Sequence, residues 1–177
     1  MRIAIIGAGN VGGALGKGWA RTGHLITYGV PYPADDKHRT TAEAAGGAGV
    51  FSVARVVQQA EAIVLAVPFD AVGNALAAAG DLRDRLLIDV TNPLRMGPDG
   101  LELSLGFDSS AAEHVASLAP GAAVFKILNQ VGFEVMANTA GYAAAPVMFV
   151  AGDDARRKPI VIGLVGDLGF HPVDAGG

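Results

Sequence analysis

Cysteine does not occur among the 177 residues. That excludes disulfides, thiolate metal sites and a cysteine nucleophile, and it fits a reducing compartment. Charge is sparse as well. Thirteen Lys and Arg stand against 17 Asp and Glu, for a net charge of −4 and a pI of about 5.4. The longest basic run is "RRK" at 156–158, so no nucleic-acid partner is expected. The four histidines, at 24, 38, 114 and 171, are scattered without metal-ligand spacing, so no metal site is expected, and His24 and His171 read as surface residues. Long apolar runs are lacking too. "IAII" after Arg2 imitates a secretory leader but stops at Gly7, and "AIVLAVPF" at 62–69 is too short to cross a bilayer. The expectation is a soluble, cytoplasmic chain with no membrane partner.

What is abundant is apolar residues, at 51%, and glycine, with 25. The length suits one domain, 1–177, with a proper core. Apolar strand-like runs alternate with helical ones, which predicts a parallel sheet with helices on both faces. The strands are "RIAII" (2–6), "HLITYG" (24–29), "GVFSV" (49–53), "AIVLAVP" (62–68), "LLIDVTNP" (86–93), "AAVFKI" (122–127), "PVMFVAG" (146–152) and "GFHPVDAG" (169–176). Helices are expected after Gly9, at "VARVVQQA", at 70–80, at 109–120 behind a Ser109 or Ser110 cap, and at 160–169 with Pro159 in its first position. Residues 30–48 and 91–109 read as irregular, and a loop as long as the second is uncommon unless functional.

The glycines concentrate at one place. "GAGNVG" at 7–12 is G-x-G-x-x-G, directly after a strand and opening a helix whose apolar face is Val11, Ala14, Leu15, Gly18 and Trp19. The first glycine allows a tight turn, the second lets backbone approach a pyrophosphate, and the third lets helix and strand pack closely. The helix N-terminus offers free N–H groups to the phosphates. Strand, glycines and helix in this order predict a Rossmann-type, doubly wound, mainly parallel three-layer α/β/α fold that binds a dinucleotide. An NAD site carries an acid at the end of the second strand; here that end reads "TYGVPYP", with no acid before Asp35. This favours NADP. Lys37, His38 and Arg39 are the nearby candidates for its 2′-phosphate; the alternative is that all three lie on a solvated loop.

Taken together, "MRIAIIGAGNVGGALGKGWARTGH", "AIVLAVPFDAV", "LLIDVTNPL", "FKILNQVGFEVM" and "PVMFVAGDD…LVGDLGFHPVDAG" resemble the NADP oxidoreductases that use the deazaflavin coenzyme F420, with the reductase domain of Steap metalloreductases as a relative. The resemblance implies a Rossmann domain whose NADPH passes hydride to a deazaflavin, a flavin or another acceptor. It implies that Gly7, Ala8, Gly9, Asn10, Val11 and Gly12 meet the pyrophosphate. Gly29, Val30 and Pro31 would hold the 2′-phosphate end, with Lys37 or Arg39 folding back. Ala66, Val67, Pro68 and Ala71 would line the adenosine or ribose, Thr91, Asn92 and Pro93 the nicotinamide side, and Asn129 the acceptor pocket. Two departures stand out. The family often has arginine where this chain has Pro31, and a charge-assisted hydrogen bond contributes about 1.5–3 kcal/mol. The family also continues past "VDAG" with helical sequence that covers the acceptor side and pairs subunits. From this, slow transfer to the acceptor and weak self-association, as a homodimer, are expected.

Hydride transfer asks for alignment of two rings rather than for a nucleophile, so no catalytic residue is assigned. Lys126, near a strand end, either faces the nicotinamide or closes the sheet edge; Asp89 reads as a structural hydrogen-bonding group of the turn. The readings are an NADP-dependent deazaflavin-linked oxidoreductase, an NADPH-dependent flavin or ferric reductase, and a dinucleotide-sensing module without chemistry.

Overall fold

A computed structural model describes every residue except Asp99 and Phe107. In chain order the elements are β1 (Arg2–Ile6), α1 (Asn10–Arg21), β2 (Leu25–Gly29), α2 (Arg39–Ala44), β3 (Gly49–Phe51), α3 (Val53–Gln59), β4 (Ala62–Leu65), α4 (Val72–Ala79), β5 (Leu86–Asp89), β6 (Leu94–Gly97), β7 (Gly100–Leu103), α5 (Ala111–Leu118), β8 (Ala123–Lys126), α6 (Phe133–Ala137), β9 (Val147–Val150), α7 (Lys158–Asp167) and β10 (His171–Asp174). Six strands form one parallel sheet in the order β3-β2-β1-β4-β5-β8. This is the doubly wound Rossmann order, with a reversal at β1 and β4.

Alternation in the strands builds two cores. Ile3 and Ile5 of β1 join Leu15, Trp19, Tyr28, Val64, Ile88 and Phe125 under α1, α6 and α7. Ala4 and Ile6 face the other way, with Val53, Val56, Ile63, Leu65, Leu87 and Val115 under α3, α4 and α5. Both faces are covered, which is why the strands read as continuous apolar runs.

Helix α1 lies unusually close to the sheet. A β-carbon on Gly12 would collide with the Gly7 carbonyl, and one on Gly16 with the Tyr28 hydroxyl. Tyr28 is fully buried and its hydroxyl donates to the Gly12 carbonyl at 3.4 Å. On the far side of α1, the Trp19 indole donates to the Leu164 carbonyl of α7 at 2.8 Å. Gly23, at φ +90, ends the helix as its sequence predicts.

Beyond the main sheet, β9 and β10 pair in parallel across α7. They join β8 through one bridge, in which the Lys126 and Ala151 backbones exchange hydrogen bonds of 2.8 and 3.1 Å. The Gln130 side chain lies along the free edge of β9. Its Nε2 donates to the Val147 carbonyl at 3.3 Å, and its Oε1 accepts from the Phe149 amide at 3.2 Å.

Several details differ from the sequence expectation. Residues 91–109 contain the antiparallel hairpin β6–β7, with Leu94 opposite Leu103, Met96 opposite Leu101, and Arg95 opposite Glu102. Glycine and proline suggested a loop, but the alternation of apolar and charged residues is that of a ribbon, closed on its polar face by an Arg95–Glu102 ion pair of 2.7 Å. Residues 30–48 hold a 3-10 turn (Asp36–His38) and α2. Helix α6, barely more than one turn long, has no periodic signature in the sequence. Helix α7 starts at Lys158, one residue before Pro159. His24 is not a free surface residue; its Nε2 meets Asp167 at 2.9 Å, with the side chain 11% exposed. The Ser110 cap forms, as a full capping box with Glu113.

Burial pushes the Tyr28 phenol up to about 12 from its ordinary 10.0. The folded state keeps this group neutral, so its contribution is complete below pH 10 and is lost as pH rises towards 12. Urea unfolding across that window should show wild type losing up to about 3 kcal/mol relative to Tyr28→Phe. Parallel pH profiles for the two proteins would contradict the burial of an intact phenol.

Candidate dinucleotide-binding edge

The C-terminal ends of β1, β2, β4, β5 and β8 all open on one edge of the sheet, the edge where parallel α/β sheets take ligands. At the end of β1, Gly7 turns at φ +107, a conformation open to glycine. Its amide donates to the Gly29 carbonyl at 3.0 Å, and a β-carbon there would collide with the Ala66 carbonyl. The Ala66 amide donates to Ile6 at 2.9 Å. The turn is thus pinned to both neighbouring strands. Gly9 is different, since a β-carbon on it would meet nothing within 4 Å. It caps α1 without a side-chain bond, and no acid stands in the first helical turn. The Gly13 amide is the first to close a helical bond, to Gly9 at 2.8 Å, so the amides of Asn10, Val11 and Gly12 are left for an outside acceptor. This uncapped end of a 12-residue helix, fronted by open space, suits the double negative charge of a pyrophosphate.

At the end of β2, Gly29 gives its carbonyl to Gly7, and Val30 donates to the Phe51 carbonyl at 3.0 Å. The Val30 side chain is buried, so it belongs to the core, whereas Pro31 is exposed. Lys37 and Arg39 do not reach back to the strand end: Lys37 pairs with Asp35 at 2.8 Å and Arg39 with Asp36 at 3.4 Å. The side-chain hydrogen bond from Lys37 holds the Asp35 carboxyl below its ordinary range. Sequence reasoning missed Thr41, whose hydroxyl donates to the Ala8 carbonyl at 3.2 Å and ties α2 to the glycine turn; no local pattern marks such a long-range bond.

After β4, Val67 packs beside Gly7, and Pro68 opens a 3-10 turn whose Ala71 amide donates back to the Pro68 carbonyl at 2.9 Å. At the ends of β5 and β8 a polar cluster is locked in place. Asp89 is fully buried. Its Oδ1 accepts from the Thr91 amide at 2.9 Å and the Thr91 hydroxyl at 2.7 Å, and its Oδ2 pairs with Lys126 Nζ at 2.9 Å. Lys126 also donates to the Thr91 carbonyl. Burial lowers the pKa of the Lys126 ammonium, and Asp89 opposes that shift. Both groups of the pair, and the Thr91 side chain, are therefore engaged in holding the two strand ends together. What the edge presents instead is Asn92 and Asn129, both exposed, with Asn92 Nδ2 donating to the Asn129 carbonyl at 3.2 Å. Leu128, which precedes Asn129, is fully buried at φ +63, outside the range ordinary side chains prefer. That twist turns the chain out towards Asn92.

A groove of about 1040 Å³ runs alongside β8 and α5. It reaches Pro93, Lys126 and Asn129 at one end and Asp84 and Arg157 at the other, and does not include the glycine turn. Among the described residues no cluster of His, Asp or Glu has metal-binding geometry, and no helix is long and apolar enough to cross a membrane.

Comparison with known proteins agrees with this geometry. A family model described as NADP oxidoreductase, coenzyme F420-dependent, matches residues 2–93. Among solved structures, the chain is similar to a candidate F420-dependent NADP-reductase from Arthrobacter sp. FB24, with a TM-score of 0.91 and 29% identity over 99% of this chain and 84% of that one. It is similar to the hypothetical protein SMa0349 from Sinorhizobium meliloti, with a TM-score of 0.86 and 27% identity over 99% and 85%. A reductive aminase from Aspergillus terreus, solved with NADPH and ethyl-5-oxohexanoate, shares the fold at a TM-score of 0.72 and 21% identity, over 99% of this chain and 54% of the aminase.

Removing one partner of a buried ion pair strands the other charge. Lys126→Met should therefore lower stability by about 3–5 kcal/mol, and adding Asp89→Asn should recover part of that loss. Urea unfolding of the two variants measures this, and a Lys126→Met protein as stable as wild type would show that the pair does not hold the strand ends.

Proposed function

The chain belongs to the coenzyme F420-dependent NADP oxidoreductase family, and on that footing we propose that it binds NADPH along this edge and brings it against a deazaflavin or similar planar acceptor. The observation that carries the reading is the glycine cradle. Gly7 and Gly12 are glycines because the fold has no room for a β-carbon, whereas Gly9 borders open space in front of three free amides. The fold makes no demand for glycine at position 9; a backbone-gripped phosphate does. The residues present fit a dinucleotide.

Bound NADPH supplies a hydride, two electrons with one proton, which a deazaflavin ring accepts. The chain's part is placement. Asn10, Val11 and Gly12 present backbone amides to the pyrophosphate. Val67, Pro68 and Ala71 wall the ribose, and Asn92 with Asn129 borders the nicotinamide end. The Asp89–Lys126 pair keeps those last two residues in register, since orientation within a fraction of an ångström is where proximity acts on rate. The family's description supports a ring acceptor.

Gly9→Val should leave circular dichroism unchanged, because a β-carbon at this position meets nothing within 4 Å and the residue precedes the helix. It should weaken NADPH binding at least tenfold, about 1.4 kcal/mol. NADPH oxidation monitored by absorbance with a deazaflavin, a flavin and a ferric chelate tests the acceptor; a folded protein that binds NADPH and turns over with none of them would remove the oxidoreductase reading.

A further inference from the structure

At the adenosine end the chain leaves β2 through Gly29-Val30-Pro31-Tyr32-Pro33. A 2′-phosphate is usually met here by a cation, and this stretch offers none. Pro31 has no N–H to give. Lys37 and Arg39 are each paired with a carboxylate of their own loop, Asp35 and Asp36, so those four side chains sum to no charge. Arg55, the next Arg or Lys along the chain, lies with its guanidinium 4.1 Å from the centre of the Phe51 ring. That ring folds back over Gly49, away from the end of the strand.

What the stretch does offer is an aromatic ring. Tyr32 is 74% exposed. Its backbone is restrained: Pro33 confines it to extended geometry, and its carbonyl accepts from the Asp35 amide at 3.2 Å, closing a turn with Pro33 in the second position. The segment is also tied to the glycine cradle at each end, through the Gly7 amide on the Gly29 carbonyl and the Thr41 hydroxyl on the Ala8 carbonyl. A tyrosine so placed loses little freedom when a flat ligand settles on it. Stacking between an aromatic side chain and a nucleobase is indifferent to what the 2′-oxygen carries.

We infer that Tyr32 is the platform on which the adenine of the dinucleotide stacks, and that this contact, in place of 2′-phosphate capture, holds the adenosine end, so the protein takes NADH nearly as well as NADPH. The inference rests on the dinucleotide reading above and adds to it the basis of cofactor choice.

Calorimetric titration of the full chain with NADPH and with NADH tests it. The two wild-type affinities should lie within tenfold of each other. Tyr32→Ala should weaken both by the same factor, between about five- and a hundredfold, and Tyr32→Phe, which keeps the ring, should restore both. Pro31→Arg should strengthen NADPH alone and steepen its salt dependence. A wild-type preference above tenfold for either dinucleotide, or a Tyr32→Ala protein that keeps its affinity or loses it for NADPH only, overturns the assignment while leaving the dinucleotide reading intact. A wild-type chain that binds neither overturns that reading, and this one with it.

Discussion

The closeness of α1 to the sheet governs the rest of the molecule. Gly12 and Gly16 let the helix axis settle onto β1 and β2 until the Gly7 carbonyl and the Tyr28 hydroxyl touch its backbone. Only at that distance does the helix N-terminus aim its free amides at the edge where the strands end, and only then does Trp19 reach Leu164 on α7. The same seam that packs the core therefore sets the direction of the helix field. Most of the energy of this arrangement is apolar burial; its geometry comes from missing side chains.

A second constraint sits across the sheet. Asp89, Thr91 and Lys126 form a buried polar knot between β5 and β8. Among the described residues no buried side-chain polar atom lacks a partner, so the knot meets the demand that low-dielectric surroundings place on polar groups. A network of this kind favours one strand register over its neighbours. It holds Asn92 and Asn129 at a fixed separation, although neither touches a charge itself.

The β1–α1 unit was fully legible, because its signals are local: a short apolar run, three spaced glycines, a 3.6-residue apolar face and Gly23 at the end. The doubly wound α/β class followed from alternation of strand and helix, whereas the order of the six strands is seen only in the structure. The hairpin at 94–103 was misread because Gly97, Pro98 and Gly100 dominate the composition, while its evidence is the pairing of Leu94 with Leu103 and Arg95 with Glu102 across the turn. The loop after β2 left two readings open for a related reason. Lys37 and Arg39 look available in sequence; in space each is spent on an aspartate two or three residues away. Asp89 read as a structural group, and it is one, but its bond to Lys126 joins residues 37 apart and leaves no trace in either neighbourhood.

The Gln130 side chain has a consequence for life in a concentrated solution. Strand β9 carries exposed Val147 and Phe149 beside an edge that β10 does not cover. Such an edge is a template for another chain's strand, and hence for aggregation. The carboxamide of Gln130 carries one donor and one acceptor, as a peptide group does, and it occupies the Val147 carbonyl and the Phe149 amide together. One side chain thereby stands in for an absent neighbour strand. A foreign β-segment approaching this edge finds the Val147 carbonyl and the Phe149 amide already taken.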